Sequence, residues 1–156
     1  MASAISIVPV RSQRDLAAVT SLFEAYVAAL DVDLSYQDFA TELASVPSKY
    51  APPHGVLLLA IDDQSQPIGC IALRPMEEEH RCEMKRLFVA PAGRERGLGR
   101  SLVDALIHEA RRIGYCQMCL DTLPTMAAAK GLYREFGFEP IPAYYATPIE
   151  GTAFWG

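Results

Sequence analysis

Residues 83–100 read Glu83-Met-Lys-Arg-Leu-Phe-Val89-Ala-Pro-Ala-Gly93-Arg94-Glu-Arg96-Gly97-Leu-Gly99-Arg100. Residues 81–89 suit a strand, which Pro91-Ala92-Gly93 ends. From Gly97 onward Leu98, Leu102, Leu106, Ala110 and Ile113 recur at helical spacing until Gly114 stops them. A strand that runs through a glycine turn into a helix presents backbone N–H groups with no intrahelical acceptor, at the positive end of the helix dipole. Such groups can donate to phosphate oxygens. Gly97 and Gly99 keep Cβ atoms out of that approach, and Arg94, Arg96 and Arg100 add positive charge. The stretch therefore reads as an anion cradle, or more plainly as a tight turn with solvated arginines.

Two better-known phosphate loops do not fit. A dinucleotide fingerprint needs three glycines in a first β-α-β unit, and a nucleotide-hydrolase loop ends in Gly-Lys-Ser/Thr. This loop has neither feature and lies past mid-chain. A nicotinamide-dependent oxidoreductase is disfavoured accordingly.

Outward from the loop, the chain is predicted to alternate strands and helices. Residues 4–8 read as a strand, and from Asp15 the spacing of Leu16, Val19, Phe23, Tyr26 or Val27, and Leu30 predicts a helix. Ser35 can cap a short second helix that ends before Pro47. Residues 56–62 and 68–73 form a hairpin across Asp62-Asp63-Gln64-Ser65-Gln66-Pro67. After the helix that follows the loop come a strand at 115–121, a helix opened by Pro124, a strand at 138–141 and a short final strand at 152–155. The fold class is α/β, a mixed central β-sheet flanked by helices, in one domain spanning residues 1–156.

Composition bounds the partners. The chain has 156 residues, 51% hydrophobic and 21% charged, with a net charge of -5. That argues against nonspecific binding to nucleic acid or to an anionic membrane. Residues 81–112 nevertheless carry eight basic and four acidic side chains, so one part of an acidic chain is suited to an anion. No leader pattern and no run of about 18 apolar residues is present, and a cytoplasmic location is expected. Cys70, Cys82, Cys116 and Cys119 sit in apolar runs, as buried free thiols do. The spacing of Cys116 and Cys119 would point them to opposite faces of a strand, and His54, His80 and His108 show no metal spacing, so no metal is expected.

Arg94-x-x-Gly97-x-Gly99, following a strand that ends in Leu87-Phe88-Val89, resembles the acyl-CoA pyrophosphate motif of the GNAT N-acetyltransferases. The resemblance continues through Leu120-Asp-Thr-Leu-Pro124 and Leu132-Tyr133-Arg-Glu-Phe-Gly137-Phe138 and covers essentially the whole chain, most like the small bacterial members. It implies a GNAT-type sheet with helices on both faces and acetyl-CoA as acyl donor. It also implies direct transfer to a primary amine of a small molecule or peptide. In the family, the strand equivalent to Leu87, Phe88 and Val89 pairs with the pantetheine arm, and the loop equivalent to Arg94, Glu95, Arg96, Gly97, Leu98, Gly99 and Arg100 holds the pyrophosphate. Glu95 departs from the common glycine, and Met126 stands where many relatives keep an asparagine, leaving it to pack against the arm.

Two catalytic residues follow from the same likeness. Tyr133 matches the tyrosine that protonates the departing thiolate, a task suited to a phenol whose ordinary pKa near 10 exceeds that of a thiol. Glu83 matches the general base of the histone-modifying members, although an ordinary ion-pair role, with a water chain as base, fits equally well. Strand alternation would place Glu83, Lys85, Leu87 and Val89 on one face and Met84, Arg86 and Phe88 on the other. Residues 49–55 and Tyr144-Tyr145 are candidate acceptor walls, the tyrosines alternatively a homodimer surface. A catalytically inactive acyl-CoA sensor is the competing function, and Tyr133 argues against it.

Overall fold

Six consecutive apolar residues, Val56–Ile61, cannot face water on either side and so belong inside a sheet covered on both faces. The computed structural model, which describes residues 5–10, 12–30, 50, 54–76, 80–90, 97–122, 127–143 and 153–156, places them so. Among these residues the elements are β1 (Ser6–Pro9), α1 (Gln13–Leu30), β2 (Val56–Ile61), β3 (Pro67–Pro75), β4 (Arg81–Val89), α2 (Leu98–Ile113), β5 (Gln117–Thr122), α3 (Ala127–Glu135), β6 (Pro140–Ile141) and β7 (Ala153–Trp155). The sheet order is β1-β2-β3-β4-β5-β7-β6. Every pairing is antiparallel except β4 with β5.

Helices cover both faces. Val19, Leu22 and Phe23 of α1 pack with Tyr50, Leu57, Leu59, Cys70, Ala72 and Phe88 on one side. Leu98, Leu102, Val103, Leu106 and Ala110 of α2, together with Tyr133 of α3, pack with Leu58, Ile71, Leu73, Cys82, Met84 and Leu120 on the other. Gly69 makes the α2 contact possible: a Cβ there would lie 3.0 Å from Leu98 Cδ2, 3.1 Å from the Phe88 carbonyl oxygen and 3.2 Å from Leu102 Cδ1.

Element ends differ from the sequence reading for local reasons. α1 starts two residues before Asp15 because Ser12 Oγ accepts the Asp15 N–H at 3.1 Å and caps it. β5 starts at Gln117 rather than residue 115, because Gly114, at φ 114°, and Tyr115 still donate their N–H groups to the Ala110 carbonyl and close α2. Phe138 closes α3 in the same way by donating to Tyr133, which leaves β6 only Pro140–Ile141. The second helix expected from Ser35 lies outside the described residues.

One correction concerns faces. β4 carries an extra residue opposite β3, since Cys70 pairs with Phe88 but Ala72 pairs with Lys85, and Arg86 sits at φ 59°. This bulge inverts the alternation downstream. Leu87 and Val89 share the α2 side with Cys82 and Met84, while Phe88 faces α1. Lys85, opposite Ala72, and Glu83, opposite Arg74, are on the α1 side. Glu83 and Lys85 therefore do not share a face with Leu87 and Val89.

Candidate active site

The parallel ladder between β4 and β5 is short: Arg81 with Gln117, Cys82 with Met118, and Glu83 with Cys119. Beyond Glu83 the bulged half of β4 diverges from β5, and a slot of about 30 Å³ opens between them. Met84 to Leu87 form one wall, Leu120 and Asp121 the other, and Tyr133 of α3 closes it. The slot is lined by residues from both faces of the sheet. Met84, Leu87, Leu120 and Tyr133 belong to the α2 side. Lys85 faces the α1 side, as does Asp121, the strand neighbour of inward Leu120.

Tyr133 is 5% exposed and meets Phe138 edge to face, ring centroids 5.9 Å apart. Its position is set by the α3 face that also buries Leu132 and Phe136 against the core. The structure thus brings Tyr133 to the opening beside the strand that the sequence singled out.

Glu83 is fully buried and is not among the slot-lining residues. Its Oε1 accepts from Arg74 Nε and lies the same 2.6 Å from Arg74 Nη2, with Lys85 Nζ 3.9 Å away. Lys85 lines the slot. Burial pushes its pKa down; the Glu83 and Asp121 carboxylates oppose that shift, and the Arg86 and Arg74 guanidiniums add to it. Cys70 contacts this cluster from β3: its Sγ donates to the Arg86 carbonyl at 3.4 Å, and burial pushes its thiol up to about 12.

At the other end of β4, α2 begins at Leu98 with Gly97 as its cap at φ 70°, and no side chain caps it. The Ser101 N–H donates to the Gly97 carbonyl at 3.1 Å. The N–H groups of Leu98, Gly99 and Arg100 precede that bond and have no acceptor within the helix. A Cβ on Gly99 would meet Leu132 Cδ2 at 3.7 Å and Val89 Cγ2 at 4.0 Å, so the helix start lies against the end of β4 and against α3. A Cβ on Gly97 would meet no described atom within 4 Å, and its left-handed φ of 70° favours glycine there. Arg100 pairs with Glu135 and ties α2 to α3 across the surface. Arg94, Glu95, Arg96 and Met126 lie outside the described residues, as do Tyr144, Tyr145 and most of 49–55. Among the described residues no group of three or more His, Cys, Asp and Glu is placed to hold a metal ion.

A larger cavity, about 280 Å³, lies at the start of β5 between the ends of α2 and α3, with Arg111, Tyr115, Cys116 and Phe136 in its lining. None of the residues assigned above to catalysis or to the acyl donor lines it, so size does not mark the site. Cys116 is exposed and Cys119 buried, and because Cys116 precedes β5 the strand alternation expected to separate them does not reach it.

The acetyltransferase (GNAT) family model matches residues 19–138. The chain belongs to the GNAT acetyltransferase family. GNAT enzymes use acetyl-CoA as cosubstrate and acetylate amines. A protein of Schizosaccharomyces pombe named an uncharacterized N-acetyltransferase is 40% identical over 97% of this chain and 93% of its own. Another of that description from Dictyostelium discoideum is 30% identical over 83% of this chain and 88% of its own. A GNAT-family acetyltransferase from Staphylococcus aureus superimposes with a TM-score of 0.79 at 19% identity, over 97% of both chains, which shows a shared GNAT fold. The expected kinship with small bacterial members is not supported, because these sequence relatives are eukaryotic.

Arg74, Arg86 and Asp121 are site residues that sequence reasoning missed. The hairpin register would have found Arg74, since its pairing with Glu83 follows once β3 and β4 are aligned. For Arg86, whose φ is 59°, no sequence signal marked the bulge.

Proposed function

We propose that this GNAT enzyme passes an acetyl group directly from acetyl-CoA to a primary amine of a small molecule or peptide at the β4–β5 slot. The observation that carries the proposal is that Tyr133 of α3 and residues 84–87 of β4 line the same opening. The edge of β4 at Leu87, Phe88 and Val89 beyond the last β5 pair suits the amides of a pantetheine arm, and the N–H groups at Leu98, Gly99 and Arg100 suit its pyrophosphate. Acetyl-CoA supplies the activated carbonyl. Tyr133 then holds a proton on its Oη for the sulfur that leaves.

Glu83 serves in this reading as a positioning residue. Its Oε1 is already committed to Arg74, and it stands outside the slot. The proton lost by the amine passes to water. A cytoplasmic site of action belongs to the same proposal.

The test pairs titration calorimetry with steady-state release of CoA thiol. Acetyl-CoA binds the wild-type chain, and Tyr133→Phe lowers kcat by roughly 100-fold while acetyl-CoA affinity holds. Unchanged kcat in Tyr133→Phe would remove Tyr133 from its role, and absence of acetyl-CoA binding at millimolar concentration would refute the proposal. Binding with no thiol release across a broad amine panel would favour the sensor reading.

A further inference from the structure

Tyr133 stands two residues before the end of a short helix, where helices fray. The carbonyls of that last turn have no donor within α3. The chain that follows supplies donors. The Phe136 and Phe138 N–H groups both donate to the Tyr133 carbonyl at 3.1 Å, and the Gly137 N–H donates to the Arg134 carbonyl at 3.0 Å. With Gly137 at φ 90°, the bonds from residues 137 and 138 make the Schellman arrangement, in which the residue after the glycine commonly packs on the residue whose carbonyl it caps. Here both of those residues are aromatic. The Phe138 and Tyr133 rings meet edge to face, centroids 5.9 Å apart and planes at 68°, a geometry that aromatic quadrupoles favour.

Phe138 is held from its other side as well. Glu139, next in the chain, exchanges two backbone hydrogen bonds of 3.0 Å with Gly156, so the chain passes at once into the pairing of β6 with β7. The Arg134 guanidinium lies over the Trp155 ring of β7, 5.3 Å from its centroid, and fastens the end of α3 to the same strand. The two rings border different spaces. Tyr133 lines the β4–β5 slot, whereas Phe136, Gly137 and Phe138 line the cavity of about 280 Å³. A shorter side chain at position 138 would therefore open onto that space and leave the Tyr133 ring without its neighbour.

We infer that Phe138 is a positioning residue for acetyl transfer: packed on the Tyr133 ring and anchored to the β6–β7 pair, it holds the phenol in register with the slot. The inference rests on the acid role proposed above for Tyr133 and adds what keeps that acid in place. The hydroxyl is the atom of the side chain farthest from the backbone, so a small rotation about χ1 displaces it most. A misplacement on the order of 1 Å can cost about 100-fold in rate. Acetyl-CoA binding, in the same proposal, rests on backbone groups of β4 and α2 rather than on this turn. Phe138 therefore acts on kcat, and it does so through Tyr133.

The experiment is a double-mutant cycle on kcat with the full chain, read as CoA-thiol release from acetyl-CoA with the amine of the panel that wild type acetylates fastest. Each variant is assayed at a temperature where circular dichroism shows it folded. Phe138→Ala should lower kcat by about 10-fold or more while acetyl-CoA affinity by calorimetry is unchanged. In the Tyr133→Phe background the same substitution should change kcat by less than about 2-fold. Equal losses in the two backgrounds overturn the inference, because a merely structural loss does not need the phenol. A kcat for Phe138→Ala within about 2-fold of wild type, with Tyr133→Phe slow, also overturns it and leaves acetyl transfer standing. If Tyr133→Phe is as fast as wild type, or acetyl-CoA does not bind, the acid role fails and the inference with it. Should Phe138→Ala not fold, Phe138→Leu, which keeps an apolar side chain without the ring, goes through the same cycle. Its loss, expected at about 3-fold or more, must likewise vanish in the Tyr133→Phe background, and persistence there overturns the inference.

Discussion

Glu83→Gln keeps the shape of a side chain and removes the charge from an oxygen 2.6 Å from both Arg74 Nε and Nη2. Two unit charges at that separation attract by about 6 kcal/mol at an effective dielectric near 20, and by under about 2 kcal/mol in water. Desolvation offsets part of the attraction in the native protein. Loss of one partner forfeits the attraction while the other ion stays partly buried, typically at about 3–5 kcal/mol. Arg74 is 30% exposed and can be rehydrated, which puts the cost at the low end, about 3 kcal/mol. For a chain of this length that is a fall in Tm of roughly 6–12 °C. Urea and thermal denaturation followed by circular dichroism measure it, with thiol release assayed at a temperature where the variant is folded. A positioning role predicts the stability loss together with a modest change in kcat. A Tm within a degree or two of wild type, combined with a kcat lowered by about 100-fold or more, would show that Glu83 takes the proton after all and refute the reasoning. The double variant Arg74→Met/Glu83→Leu should recover only part of the lost stability, since apolar groups can replace the Arg74–Glu83 pair at little cost but buried Lys85, 3.9 Å from Glu83 Oε1, loses that carboxylate.

Gly69→Ala puts a Cβ 3.0–3.2 Å from Leu98, Leu102 and the Phe88 carbonyl, so it should cost about 1–3 kcal/mol. By displacing the start of α2 it should also raise the KM for acetyl-CoA, and an unchanged KM with intact stability would count against the placement of the cradle. Alkylation under native conditions should label one thiol, Cys116, because Cys70, Cys82 and Cys119 are buried and burial pushes Cys70 and Cys82 up to about 12; mass spectrometry would show more than one label if that burial is wrong. Stability should also fall above pH 9, where an unfolded Cys70 releases a proton that the folded chain retains up to about 12. The slope from this thiol is about 1.4 kcal/mol per pH unit. Urea titrations between pH 8 and 10.5 should show it, and Cys70→Ala should reduce it without abolishing it, because Cys82, also held up to about 12, adds a slope of the same sign.

What the sequence disclosed was mostly local. Helical spacing from Leu98 to Ile113, stopped by Gly114, is a property of neighbours in the chain, and α2 lies there. The apolar runs of β2 and β3 are likewise continuous stretches. Failures came where a distant partner decides. Arg86 adopts φ 59° because β4 must bulge past β3, and that single residue moved Leu87 and Val89 to the other side of the sheet. Arg100 pairs with Glu135 35 positions on, a partner that no local pattern announced. Glu83 was legible as a charged strand residue, but the choice between proton acceptor and ion-pair partner required the alignment that brings Arg74 across from it. Tyr133 was placed by family likeness, and its neighbours in the slot come from β4 and β5, 46 or more and 13 or fewer residues away respectively.

The three pairs that join β4 to β5 have a mechanical meaning. β1 to β4 form one leaf, and β5, β7 and β6 form another. The leaves share a spine only three residues long, and α2 is the strap that runs between them in the chain. Glu83 is the last stitch of that spine, so its grip on Arg74 anchors the crotch from which the leaves part. Anything that enters the crotch bridges the two leaves and stiffens the molecule along a line where its own backbone provides no bonds. Amide exchange should then slow on acetyl-CoA binding in β5 beyond Cys119 and in β7, while β1 and β2 barely register the event.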